Sequence, residues 1–230
     1  SILWGYFHNE IKDNRKDAIA IPLLKLTKYF SYADLQVSKL YKSRKAKERI
    51  KELLSQNWID FMHVIYNKYV DEVLKKIKEY QRFNPKNVEG RIHAGVDSLK
   101  MKLKHDVDIL LTSPPYIQAQ EYIRSFKLEL FWLGYSEHKI RSLQKLEIPY
   151  NDPPPVNIRS ETFKRFRKII SRTNNLKLLT IYDAYFRSLA YFFENNHDRI
   201  LQYICIFVGR VKIRNIRIPI DEILKEYLQS

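Results

Sequence analysis

Val107–Tyr116, VDILLTSPPY, is the stretch on which the reading of the whole chain turns. Val107, Ile109, Leu110 and Leu111 run directly into Thr112-Ser113-Pro114-Pro115-Tyr116. An apolar run of this length, rich in branched residues and closed by prolines, reads as a buried strand that stops at a tight loop. Each proline removes a backbone donor and fixes φ, so the exit is stiff. A hydroxyl, free carbonyl oxygens and an aromatic ring are left at the carboxyl end of a strand, where ligands bind in open α/β sheets. A plain proline turn is the competing reading of the five loop residues.

Those groups suit one demanding task. The amine of a nucleobase is a poor nucleophile, because its lone pair is delocalised into the ring. A protein that alkylates it must accept hydrogen bonds from the NH2 group and hold its nitrogen in line with the donor. Acceptors are needed and a strong base is not. The Ser113 hydroxyl and the Pro114 carbonyl are two such acceptors. Tyr116 is placed to stack on a base taken out of the duplex.

TSPPY resembles motif IV of the amino-directed DNA methyltransferases, and more of the chain is similar to that family. Gly95-Val96-Asp97-Ser98 resembles its cofactor-proximal acidic loop. Gln120–Arg124 and Lys127–Gly134 resemble the segment that follows TSPPY. Phe207-Val208-Gly209 and Arg217–Asp221 resemble a late strand and closing helix. The resemblance covers roughly residues 88–228. It implies an α/β, S-adenosylmethionine-dependent methyltransferase-like (Rossmann-like) sheet, here partial and joined to a helical N-terminal region. It further implies methyl transfer to an exocyclic amino group of a DNA base, cytosine N4 favoured over adenine N6. Ser113, Pro114, Pro115 and Tyr116 would form the catalytic loop, and Asp97, Ser98 and Thr112 the cofactor contacts. Asp97 reads equally well as an ordinary loop or helix-cap aspartate.

One part of the family pattern is missing. The glycine-rich turn after the first strand, roughly Phe-x-Gly-x-Gly, has no counterpart among Gly5, Gly90, Gly95, Gly134 and Gly209. The family's sheet sets the strand bearing that turn beside the TSPPY strand. Without it, Val107–Leu111 exposes an unpaired apolar edge. A complementary chain or fragment is therefore expected to supply the first strands and the glycine loop. The alternatives are a degenerate homologue, a non-catalytic nucleic-acid-binding subunit or an RNA amino-methyltransferase. A helical interaction module on residues 17–80 is a further one.

The 230 residues carry a net charge of +15 and a pI near 9.7, which favours a polyanionic partner, DNA by the resemblance, or else a basic surface that only keeps the protein soluble. No apolar run of membrane-spanning length appears, and no secretory leader pattern opens the chain. A lone cysteine, Cys205 in ILQYICIFVG, excludes an intrachain disulfide and is expected in the core of a cytoplasmic protein. His63 and His93 have no Cys or His neighbours at metal-ligand spacing, so no zinc site is expected.

In chain order, SILWGYFHNEIKDNRK begins without methionine, as though entered midway through a longer protein, and Trp4, Tyr6 and Phe7 need something to pack on. Asp17–Phe30 is expected to be helical, with Pro22 near its start. Residues 39–51 are strongly basic, with Lys42, Arg44, Lys45 and Lys47 as phosphate contacts or a solvated helix face. Residues 58–80 repeat apolar and aromatic residues every three or four positions, predicting a long amphipathic helix. Asn84-Pro85-Lys86-Asn87 divides a helical region (1–86) from the methyltransferase-like domain (87–230). There, Arg91–Val96 is expected to be a strand and 120–135 a helix. A less regular insertion spans about 136–178. It holds the rigid Asn151-Asp152-Pro153-Pro154-Pro155 and a second basic stretch, Lys164, Arg165, Arg167 and Lys168, interleaved with Phe163 and Phe166. That stretch reads as a nucleic-acid surface or as a helix whose phenylalanines are buried. An aromatic helix at 181–195, a strand at 199–208, a half-exposed strand at 211–218 and a closing helix at 221–228 complete the expectation.

Overall fold

A computed structural model of the chain describes residues 2–11, 15–36, 41–83, 90–93, 96–117 and 122–230. It divides into two compact units, Ser1–Ile92 with Ile123–Ile140, and His93–Tyr122 with Arg141–Ser230. The expected boundary at Asn84–Asn87 and the Gln120-Glu121 pair lie outside the described residues.

The first unit is helical: α1 (Ile2–Asn9), α2 (Arg15–Tyr29), α3 (Arg44–Leu54), α4 (Trp58–Phe83), α5 (Tyr122–Ser125) and α6 (Lys127–Trp132). Trp4, Phe7, Ile11 and Leu23 form its small core. The Trp4 ring stacks on Trp132 at 5.6 Å, and its Nε1–H donates to Thr27 Oγ1 at 2.8 Å. Residues 123–140 thus join the N-terminal helices, because Trp132 and its neighbours supply apolar cover that α1 and α2 need. The helix expected over 120–135 is broken at Phe126, which links α5 to α6. The apolar stripe of α4 packs along α2, yet no residue of α4 is fully buried. Lys25 bonds to Glu72 across that seam at 2.9 Å.

The second unit holds the strands. β1 (Val107–Thr112) pairs in parallel with β2 (Ile200–Ile206), matching Leu110 with Ile204 and Thr112 with Ile206. Between them in the chain come α7 (Glu137–Gln144), which straddles the division at Ile140, α8 (Glu161–Ser171) and α9 (Leu176–Glu194). A short 3-10 turn, His197–Arg199, leads into β2. β3 (Val211–Ile213), β4 (Ile216–Ile218) and α10 (Ile220–Leu228) close the unit. Its core is aromatic: Phe163 stacks on Tyr182 at 5.1 Å, and Tyr185, Phe186, Leu189 and Phe193 follow along α9. Burial pushes the Tyr182 and Tyr185 hydroxyls well above the usual tyrosine range.

Several expectations need correction. β1 is not buried on both faces: Leu110 meets the helices, whereas Ile109 and Leu111 (67% exposed) face outward. On β2 the same uncovered face carries Leu201, Tyr203 (63% exposed) and Cys205. Cys205 is therefore not a core residue, because among the described residues only one face of the two-stranded sheet has helices on it. Val211–Ile218 is a hairpin instead of one strand. Arg214 takes a φ of 53° at its turn, a position glycine or asparagine normally fills. Where a strand was expected over Arg91–Val96, the described residues Arg91, Ile92 and His93 are irregular, and Ile92 is exposed. The insertion over 136–178 contains two regular helices, α7 and α8.

No helix among the described residues is long and apolar enough to cross a membrane.

Candidate active site

Parallel pairing puts the carboxyl ends of β1 and β2 side by side, so the loop 113–116 and the segment 207–209 leave the sheet together. The ladder runs one rung past the strands: the Phe207 N–H donates to the Thr112 carbonyl at 2.9 Å. At the next step the Ser113 hydroxyl donates to the Phe207 carbonyl at 3.3 Å. The Ser113 proton is thereby directed back into the protein, and the lone pairs of the same oxygen remain free to accept. Ser113 and Tyr116 (49% exposed) face outward, with Pro114 and Pro115 half-buried between them. Ile117 follows at 0% exposure, seated in the aromatic core of the unit. A rigid segment results, with β1 at one end, a core anchor at the other and two proline rings between.

The Tyr116 ring lies against Gly209. A Cβ built on Gly209 would approach Tyr116 Cζ to 3.2 Å and Cδ1 to 3.3 Å, and Cε1 more closely still. In the sequence, Phe207-Val208-Gly209 read only as the end of a strand. The contact could have been suspected from a lone glycine there, but the pairing that brings it to Tyr116 was not legible.

The amino ends of the strands are fixed differently. Arg199 pairs with Asp106 at 2.8 Å, and the Gln202 amide donates to Asp108 at 3.3 Å. The Asp106 hydrogen bond raises the Arg199 guanidinium above its ordinary value.

Of the predicted cofactor residues, Thr112 ends β1 and its carbonyl is spent on Phe207. Asp97 begins a turn in which its carboxylate accepts from the Leu99 N–H at 3.1 Å and its carbonyl from the Lys100 N–H at 2.9 Å. Ser98 is exposed in the same turn. Gly95 lies outside the described residues.

The two basic stretches differ. In the first unit, Ser43 caps α3 by accepting from the Ala46 N–H, and Ala46, Ile50 and Leu53 turn inward. Lys42, Arg44, Lys45 and Lys47 are consequently exposed around the start of the helix. Arg44 pairs with Glu48 at 2.9 Å, whereas Lys42, Lys45 and Lys47 have no acidic partner among the described residues. Around the positive end of the α3 dipole these cations are disfavoured, and Arg44 alone of the four has an acidic partner among the described residues. In the second unit, Phe163 of α8 is buried and Phe166 half-buried, so the phenylalanines belong to the helix's inner side. Lys164 pairs with Glu161 at 2.6 Å and Arg165 with Glu222 at 3.8 Å. Arg167 forks onto both Asp183 oxygens at 2.8 Å, while Lys168 is exposed.

A concavity of about 860 Å3 lies in the first unit between α2 and α4. It is lined by Ala18, Ile21, Val73, Ile77 and Tyr80 together with the charged residues Asp17, Lys25, Glu72, Lys75, Lys76 and Glu79, and holds none of the predicted site residues.

A stretch of 41 residues, 18% of the chain, is 44% identical to the type II methyltransferase M.BsoBI of Geobacillus stearothermophilus. That match spans 8% of the relative's length. No protein-family model and no solved structure matches the chain. Part of the chain is thus similar to a methyltransferase, and the chain as a whole is a mixed α/β protein with a small parallel sheet.

Proposed function

We propose that this chain carries the base-orienting part of an S-adenosylmethionine-dependent DNA amino-methyltransferase. The observation that carries the reading is the state of the 113–116 loop. Its acceptor oxygen and its aromatic ring both face solvent, at the shared carboxyl end of two parallel strands, on a backbone anchored at both ends. An extruded base would stack on Tyr116 while its amine donates to Ser113 Oγ, whose proton is engaged with Phe207, and to the Pro114 carbonyl. Each acceptor draws positive character onto the amine hydrogens and turns the nitrogen lone pair out of the ring plane. The chain's contribution is positioning plus electrostatics, with no covalent intermediate. TSPPY favours cytosine N4 as the target over adenine N6.

The described residues do not make a complete cradle for the cofactor. The chain's glycines are not paired at the needed spacing, and Asp97 is engaged in its own turn. We assign the glycine-rich turn to a complementary polypeptide segment that completes the sheet. Support comes from the uncovered apolar face at Ile109, Leu111, Leu201 and Tyr203, since parallel strands are ordinarily covered on both faces. DNA affinity is ascribed to Lys42, Arg44, Lys45 and Lys47, with Lys164, Arg165 and Lys168 as further phosphate contacts. Arg167 is committed to Asp183.

Transfer of labelled methyl groups, followed by nucleoside analysis, tests this directly. The complex of the chain with its complementary segment should label DNA at N4-methylcytosine. Label confined to RNA would move the substrate class. A second reading, a nucleic-acid-binding subunit without catalysis, draws on the charge and the missing glycine pair. It requires DNA binding by a complex that transfers no methyl group.

A further inference from the structure

The segment 207–209 meets the loop at three points: Phe207 N–H on Thr112, Phe207 carbonyl on Ser113, and Gly209 beside the Cε1 edge of the Tyr116 ring. The first two are backbone contacts that any side chains at 207 and 208 preserve. The third depends on residue type. Gly209 is not in the left-handed region, where only Gly134 among the described glycines is found, so its backbone conformation is open to any residue. Space is what requires a glycine. A single methyl group there would overlap the Cε1 edge of the Tyr116 ring, so the ring must swing outward on its own side-chain torsions, because the backbone that carries it is held. Pro115 precedes it, and Ile117 behind it is fully buried.

We propose that Gly209 is a positioning residue that sets where the Tyr116 ring lies, and through it where a base stacks. This rests on the functional reading above and extends it from the loop to the strand beside it. Without a Cβ, Gly209 leaves room for the Cε1 edge of the ring, and the faces of the ring are left for a ligand. Ser113 hangs from the same segment through the Phe207 carbonyl. The amine acceptor and the stacking ring therefore share one support, and their relative position is fixed by residues 207–209.

The test pairs Gly209→Ala with Tyr116→Ala. In the intact chain, Gly209→Ala should expose the ring, so that nitration of Tyr116 by tetranitromethane, mapped by mass spectrometry, rises while other tyrosines keep their rates. It should also lower the thermal midpoint. In a Tyr116→Ala background the added methyl group meets no ring, so the midpoint of the double variant should equal that of Tyr116→Ala alone. In the chain with its complementary segment, Gly209→Ala should lower kcat for methyl transfer about a hundredfold, the scale of an ångström-sized misplacement. It should add nothing further to Tyr116→Ala. Unchanged Tyr116 nitration, or equal destabilisation in both backgrounds, overturns the proposal, because Gly209 then acts on something other than the ring. Coupled stability and nitration, with methyl transfer indifferent to both variants, would leave the positioning intact and remove the function assigned to the ring.

Discussion

Ile117 is the point at which the candidate site is fastened to the fold, so its truncation is the most informative perturbation. The side chain is fully buried in the cluster built from α8, α9 and α10, one residue after the exposed Tyr116. Ile117→Ala removes three buried carbons, about 2.4 kcal/mol at roughly 0.8 kcal/mol each. A residual cavity adds to that, for a total of about 3–4 kcal/mol. Ile117→Val removes one carbon and should cost about 1 kcal/mol. Native-state hydrogen exchange of the peptides covering β1, β2 and α9 is the appropriate assay, because it reads the stability of this unit by itself. Losses in the ratio of roughly three to one between the two variants are expected. Methyl transfer should fall further than the loss of folded protein accounts for, since the loop is freed at one end. An Ile117→Ala cost below about 1 kcal/mol would refute the anchoring role, because a well-packed site of this kind does not close over so large a deletion.

Other perturbations separate structural from functional roles. Glu226 accepts from the Ser160 and Thr162 hydroxyls and the Thr162 N–H, which holds its carboxyl down at about 2 against an ordinary 4.5. A depressed folded value stabilises at pH above the ordinary one and loses that support as pH falls from 4.5 toward 2. Thermal midpoints should therefore drop through that window in the wild type and drop less in Glu226→Gln. Replacing Lys42, Arg44, Lys45 and Lys47 together with alanine should weaken DNA binding and flatten its logarithmic salt dependence by about 0.9 for every phosphate no longer neutralised. An unchanged slope would assign the patch to solubility. Arg167→Ala should lower the thermal midpoint without moving that slope. Leu111→Lys with Tyr203→Lys should remove most 8-anilinonaphthalene-1-sulfonate fluorescence from the isolated chain. Undiminished dye binding would mean that the uncovered sheet face is not the chain's main apolar surface.

The elements with strong local signals were legible in the sequence. The 3.6-residue stripe of Met62, Ile65, Tyr66, Tyr69 and Val73 marks α4, and the aromatic periodicity after Ile181 marks α9. β1 was readable from its apolar run and its prolines, and the outward placement of Tyr116 from the awkwardness of burying a ring directly after two prolines. What was not legible depends on partners distant in sequence. Cys205 lies in an apolar run that looks like core, yet it is exposed, because no described residue covers that face of the sheet. The β3–β4 turn was hidden because arginine occupies a position that normally announces itself with glycine. Residues 123–140 gave no sign that Trp132 would stack on Trp4, more than a hundred residues earlier. Within the candidate site, Ser113 and Tyr116 were singled out from the loop alone. The Phe207 carbonyl and Gly209 became visible only with the parallel pairing of β1 and β2.

The central claim is that an acceptor and a ring on the 113–116 loop orient a nucleobase amine. Methyl transfer to DNA by Ser113→Ala and Tyr116→Ala, measured alongside DNA affinity in the chain with its complementary segment, tests it most directly. Loss of transfer in both variants, with most of the affinity kept, is the expected result. Transfer at the wild-type rate in either variant would contradict it.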